Sequence, residues 1–254
     1  MNERASKKQR AALLLVERGL VESRERARAL ILAGVVYLGE RRIEKAGEAL
    51  APDAPLTLRA NPNPFVSRGG LKLQGALEAF GLSVEGLVAA DFGASTGGFS
   101  DCLLQRGALR VYAIDVGYGQ LHSRLRDDPR VVVMERCNAR HLKEEDLPEK
   151  VDLVVIDASF IGLEKLLPAV KAVLKAGGRT VALVKPQFQV GRRQVGKGGV
   201  VRDDALRYRA VQQVLEAAAA LGFHDEGQAD CVLPGPQGNR EIFLNLRLGA
   251  AVSS

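Results

Sequence analysis

The sequence predicts an α/β fold, in which a domain built on a mainly parallel sheet follows a small α+β unit. Three observations predict it. Five continuous apolar runs, LVAADFG, RVYAIDV, RVVVME, VDLVVID and RTVALVK, alternate with helix-like segments. Such runs suit strands buried on both faces, and the alternation implies right-handed crossovers in a parallel sheet. A Pro/Asn stretch, RANPNPF at 59–65, separates this region from an amino-terminal part of different composition. Proline removes amide donors and biases its predecessor to extended geometry, as a linker requires. Finally, the first apolar run ends in a glycine-rich loop, the place where open α/β sheets hold ligands.

In chain order, residues 7–19 (KKQRAALLLVERG) read as a helix closed by Gly19. Ser23 reads as the N-cap of a second helix, RERARALILAG, which Gly34 ends. VVYL and RRI flank Gly39-Glu40, a hairpin signal with glycine at the first turn position. LTLR, at 56–59, adds a strand. Residues 1–60 are therefore expected to form one unit, 61–66 a linker and 67–250 the larger domain. Near the end, CVLP and EIFLNLRL read as a further strand pair with an antiparallel member.

The 254 residues, 46% of them hydrophobic, suffice for one ordinary domain plus a small one. Lys and Arg total 36 against 30 Asp and Glu, a net charge of +6 that suits a nucleic-acid partner and also many solvated surfaces. Cys102, Cys137 and Cys231 form no CxxC pair, and His122, His141 and His224 no HxxxH spacing. No disulfide framework or metal site is expected, and a reduced, cytoplasmic setting is. MNERASKKQR is no signal peptide and no apolar run is long enough to span a bilayer, so no membrane partner is expected.

The loop after the first apolar run, DFGASTGGFSD, carries Asp91, Gly93, Ala94, Ser95, Thr96, Gly97 and Gly98. Its glycines are expected to leave backbone room for a ligand, and the helix that starts near Gly98 to point amide donors at it. Asp115 ends the second run, where a carboxylate can accept both hydroxyls of a ribose. Asn138 follows the third and can present an amide to an adenine ring. A dinucleotide fold also puts an acid on a ribose, but its G-x-G-x-x-G fingerprint differs from Gly93-Ala94-Ser95-Thr96-Gly97-Gly98. Asp91, expected at the mouth, disfavours an anionic pyrophosphate and suits the methionyl ammonium of S-adenosylmethionine.

Four further polar residues have a catalytic look. Lys72 lies in SRGGLKL, Asp157 ends the fourth run, Lys185 ends the fifth and Glu241 begins the last strand. Strand ends could bring two lysines and two acids together beside a cofactor. A free lysine is mostly charged and no base, but burial or a second cation lowers its pKa. Lys72 is expected to act on Lys185 in this way, with Asp157 and Glu241 orienting the pair. The bland alternative is a set of surface salt bridges.

These motifs resemble the TlyA family, also labelled hemolysin A, over nearly the whole chain. VERGLVESRERARALILAGVVYLGERR is similar to S4 RNA-binding domains. SRGGLKL, DFGASTGGF, IDVGYGQL, ERCNAR, LVKPQF, GRRQVGKGGVVRD and GPQGNRE resemble an FtsJ-type ribose methyltransferase domain. The resemblance implies a Rossmann-like domain dependent on S-adenosylmethionine behind a small S4-like α+β domain. It also implies a Lys-Asp-Lys-Glu catalytic set at Lys72, Asp157, Lys185 and Glu241, with ribosomal RNA or ribosomal subunits as partner and cytidine 2′-hydroxyls as target. Where members of the family often carry Leu-Asp, this chain has Ala11-Ala12, so its first helix is expected to start differently.

An RNA surface is expected at Arg24, Arg26 and Arg28, at Arg41 and Arg42, and at Arg192, Arg193 and Lys197 in GRRQVGKGG. Such residues contact phosphate and set orientation rather than read sequence. Phe160, in DASF, is either a platform for a displaced base or a core residue. The rival readings are an RNA-binding assembly factor with an inactive methyltransferase domain, a membrane-lytic protein and a nicotinamide-dependent oxidoreductase.

Overall fold

The computed structural model describes residues 8–32, 34–59, 63–190, 195–196, 198–235 and 238–249. The chain divides into two compact units, residues 1–64 and 65–254. Phe65 and Val66, expected in the linker, belong to the second unit, where Phe65 is buried in a core cluster.

The first unit runs β1 (Gln9–Arg10), α1 (Ala11–Glu17), α2 (Arg24–Leu32), β2 (Val36–Leu38), β3 (Arg41–Arg42), β4 (Ala49–Leu50) and β5 (Leu56–Leu58). The first helix starts at Ala11, later than the apolar pattern suggested. Gln9 and Arg10 instead pair antiparallel with β4, and the amides of Ala11 and Ala12 donate to the carbonyls of Glu48 and Ala46. Ser23 caps α2 by accepting from the Arg26 amide at 3.1 Å. The Gly39 turn joins β2 to β3, with Leu38 opposite Arg41, and β5 pairs on the other side of β2. Leu14, Leu15, Ala27, Ile31, Val36, Ile43 and Leu56 fill its own small core.

The second unit runs α3 (Arg68–Ala79), β6 (Val88–Phe92), α4 (Gly98–Gln105), β7 (Arg110–Ile114), α5 (Ser123–Arg126), β8 (Val131–Met134), β9 (Val151–Ile156), α6 (Leu167–Val173), β10 (Leu174–Val184), α7 (Pro186–Gln189), α8 (Asp204–Ala220), β11 (Phe223–Asp230) and β12 (Ile242–Leu248). One seven-stranded sheet has the order β11-β12-β10-β9-β6-β7-β8, parallel from β10 to β8 and antiparallel at β12 and β11. Alternate strand residues go to opposite faces. Ala90, Phe92, Val154, Ile156, Ala182 and Val184 meet α6 and α8, whereas Ala89, Val111, Val155, Val181 and Leu183 meet α3 and α4. Burial on both faces explains why these strands read as unbroken apolar runs.

The expected strand at CVLP is corrected. The partner of β12 is β11, whose residues FHDEGQAD are mostly exposed, while Val232 of CVLP is exposed in a loop. An edge strand with one wet face needs no apolar run, and its Asp, Glu and Gly are poor strand formers. Chain order reverses between β6 and β9: β7 and β8 follow on one side, β10 on the other. The carboxyl ends of β6 and β9 therefore open a crevice, the usual ligand position of a doubly wound sheet.

Candidate active site

The loop from β6 to α4 forms the floor of that crevice. Gly93 and Gly97 have φ of +90° and +93°, and Ser95, though not glycine, has +48°. In the direction a β-carbon would take, the glycines are packed against protein, while Gly93 and Gly98 also line the crevice. A side chain on Gly93 would press on the Asp157–Ala158 backbone, one on Gly97 would strike Leu125, and one on Gly98 would strike Ser67. The glycines serve close packing of the β9 end, α5 and the start of α3. The loop lines the crevice with Gly93, Ala94, Ser95, Thr96 and Gly98.

Asp91 is not at the mouth. It is wholly buried within β6, where Oδ2 accepts from the Ser100 amide (3.0 Å) and hydroxyl (2.7 Å). Oδ1 has no hydrogen-bond partner among the described residues. Burial pushes its carboxyl up to about 7, opposed by Ser100 and reinforced by the charges of Asp157 and Asp115. The carboxyl is enclosed by protein and lines neither cavity of the crevice.

Two adjoining cavities share Gly93, Ser95, Asp157 and Ser159. The second, about 350 Å³, has apolar walls from Ile114, Ile161 and Leu166 and polar groups from Asp115 and Asn138. Asp115 accepts from the Ser95 amide (2.8 Å) and the Gly117 amide (2.7 Å), which fixes its carboxylate and leaves each oxygen a free lone pair. Asn138 Oδ1 caps the short turn that follows by accepting from the Arg140 amide, so its amide nitrogen is the group left for a ligand. Phe160 lies at this rim. It is 90% exposed, has φ of +66° and stacks at a tilt on Phe188, 5.1 Å between centroids, so it is no core residue.

The first cavity, about 480 Å³, brings Lys72, Asp157 and Lys185 together. Each lysine has its own carboxylate. Lys72 Nζ lies 2.5 Å from Glu241 Oε2, with both side chains almost fully buried. Lys185 Nζ lies 2.6 Å from Asp157 Oδ1, 2.9 Å from Ser159 Oγ and 3.5 Å from the Asp157 carbonyl oxygen. Glu241 does not line the cavity; it is the counter-charge behind Lys72. Its other oxygen has no partner among the described residues, and Gly235 passes so close that a β-carbon there would lie 2.6 Å from it.

Side chains that sequence reasoning did not single out hold this frame. Asp101, buried at the start of α4, accepts from the Val66 amide (2.8 Å) and from Arg124 (3.0 Å), pinning the approach to α3. Buried Asn239 accepts from the Val201 amide (2.9 Å) and donates to the Gly199 carbonyl (2.8 Å), tying the strand of chain before Glu241 to a distant loop. Ser159 grips Lys185. Its only sequence signal is adjacency to Asp157 in DASF.

In the first unit, Arg24, Arg26 and Arg28 are exposed and have no ion pair among the described residues, and Arg10, Arg24 and Arg28 share a groove of about 170 Å³. Arg41 and Arg42 are instead paired with Glu48 and Glu44. Arg192, Arg193 and Lys197 lie outside the described residues.

The sequence model of a family described as FtsJ-like methyltransferase matches residues 65–248. The chain is 51% identical over 234 residues to the 16S/23S rRNA (cytidine-2'-O)-methyltransferase TlyA of Mycobacterium tuberculosis, covering 92% of this chain and 87% of the relative. It is 38% identical over 228 residues to Hemolysin A of Brachyspira hyodysenteriae, covering 89% and 95%. A solved structure of a candidate hemolysin from Streptococcus thermophilus is 41% identical, covers 96% of this chain and 90% of its own, and has a TM-score of 0.75.

Proposed function

The chain belongs to the FtsJ-like methyltransferase family, and from that premise we propose that it transfers a methyl group from S-adenosylmethionine to the 2′-hydroxyl of cytidine in ribosomal RNA. The observation that carries this reading is the junction of two cavities at Asp157 and Ser159: one holds two lysines, the other an acid and an amide placed for a nucleoside. The relative from Mycobacterium tuberculosis bears that reaction in its name.

When bound, S-adenosylmethionine supplies a methyl group on a sulfonium centre, electrophilic toward oxygen. Asp115 accepts the hydroxyls of its ribose and Asn138 donates to the adenine. In the first cavity Lys185 in its neutral form takes the proton of the 2′-oxygen as the new oxygen–carbon bond forms, help typically worth about 10²–10⁴ in rate. Asp157 holds that nitrogen. Lys72, neutralised by Glu241, fixes the opposite wall. Phe160 stacks on the target base once it leaves its helix. Arg24, Arg26 and Arg28, with Arg41 and Arg42, supply phosphate contacts that position the RNA.

The test is to incubate the protein with methyl-labelled S-adenosylmethionine and ribosomal RNA, digest the RNA to nucleosides and separate them. Label in 2′-O-methylcytidine is expected. Label confined to bases, or none, would overturn the reading.

A further inference from the structure

Resting on that reading of Lys185, we infer that Ser159 is a positioning residue for Lys185 and the exit for its proton. The Lys185 nitrogen donates to Ser159 Oγ at 2.9 Å and to the Asp157 carbonyl at 3.5 Å, and forms an ion pair with Asp157 Oδ1 at 2.6 Å. An ammonium has no lone pair, so a lysine held in this way must first give up one proton. The Asp157 carboxylate is the fixed counter-charge, and a main-chain carbonyl cannot pass a proton on. Ser159 differs from both: its hydroxyl accepts and donates, it is exposed, and it lies on the wall common to the two cavities.

The step balances. A proton passes from the ammonium to Ser159 Oγ as the serine's own proton goes to water, leaving Lys185 neutral. The 2′-oxygen then attacks the methyl carbon, the carbon–sulfur bond breaks with its electron pair going to sulfur, and the 2′-hydroxyl proton moves to the Lys185 lone pair. Ser159 hands that proton to water in the next cycle. Throughout, its hydrogen bond sets the direction in which the Lys185 lone pair faces.

The experiment measures single-turnover methyl transfer to ribosomal RNA against pH for the full chain and for Ser159→Ala, Ser159→Thr and Lys185→Ala. Ser159→Ala is expected to lower the plateau rate by about ten- to hundredfold, the range for a hydrogen bond to a charged group. It should also move the rising limb to lower pH, because an ammonium that loses an acceptor gives up its proton more readily. Ser159→Thr, which keeps the hydroxyl, should restore both, and S-adenosylmethionine affinity should stay within a few fold in all three. A Ser159→Ala enzyme with an unmoved limb overturns the inference, whether or not its plateau falls. If Lys185→Ala loses transfer while Ser159→Ala is unaffected, the inference alone fails. A fully active Lys185→Ala enzyme overturns the assignment of Lys185 and the role of Ser159 with it.

Discussion

Lys72 and Glu241, 169 positions apart in the chain, form one ion pair with Nζ and Oε2 2.5 Å apart and both side chains almost entirely out of water. Removing one member leaves the other charge buried and alone, which costs about 3–5 kcal/mol, whereas replacing both with apolar groups of similar volume is often neutral. Glu241→Ala should therefore destabilise the protein on that scale in urea or thermal unfolding. The double variant Lys72→Met/Glu241→Leu should recover most of the loss while remaining inactive. A Glu241→Ala protein as stable as the parent would mean that Lys72 finds another partner.

Asp115 is held by two amides and faces the cavity assigned to a nucleoside. Asp115→Ala should weaken S-adenosylmethionine binding by about ten- to hundredfold, the cost of a lost hydrogen bond to a charged group. Calorimetry on the folded variant measures it, and unchanged affinity would remove Asp115 from the site.

Asp91 sets a pH dependence. Its folded carboxyl titrates at about 7 against an ordinary 3.8. The folded state therefore binds this proton more tightly than the unfolded chain does, and the associated stability is full below the unfolded value and lost as pH rises through about 7. Relative to Asp91→Asn, the parent should lose melting temperature between about pH 4 and 7, in the absence of cofactor. Parallel melting curves for the two proteins across this range would sink the assignment.

The two units have separate cores. Deleting residues 1–64 should leave S-adenosylmethionine affinity nearly intact, lower RNA affinity and make its salt dependence shallower as phosphate contacts are lost. The slope of log affinity against log salt is the measurement; an identical slope would mean that Arg24, Arg26 and Arg28 do not touch RNA.

Much of this was legible in the sequence because the central strands are buried on both faces, so β6, β7, β9 and β12 announce themselves as apolar runs. The hairpin at Gly39 was legible from its turn residue. β11 was not, since its residues alternate between the sheet and water and include Asp225, Glu226 and Gly227. β1 and β4, two residues each, are too short to impose a period. Lys72, Asp157, Lys185 and Glu241 were found through motif and strand-end position, but their pairing into two ion pairs depends on distances across the sheet. The burial of Asp91 was hidden because a strand-end acid reads the same in sequence whether it faces a crevice or lies beneath a helix.

The last strand described, β12, is inserted between β10 and β11 rather than added at an edge. During synthesis, then, β10 waits with an unpaired edge and β11 has no neighbour until residues 242–248 emerge. Until that moment the nascent chain presents an open template for wrong pairing, the kind of edge on which partly folded proteins aggregate. Because Glu241 directly precedes that strand, the counter-charge of Lys72 arrives with the same seven residues that close the sheet. Docking of β12 therefore acts as a completion check: a chain interrupted before it emerges lacks a finished sheet and a finished catalytic cleft alike.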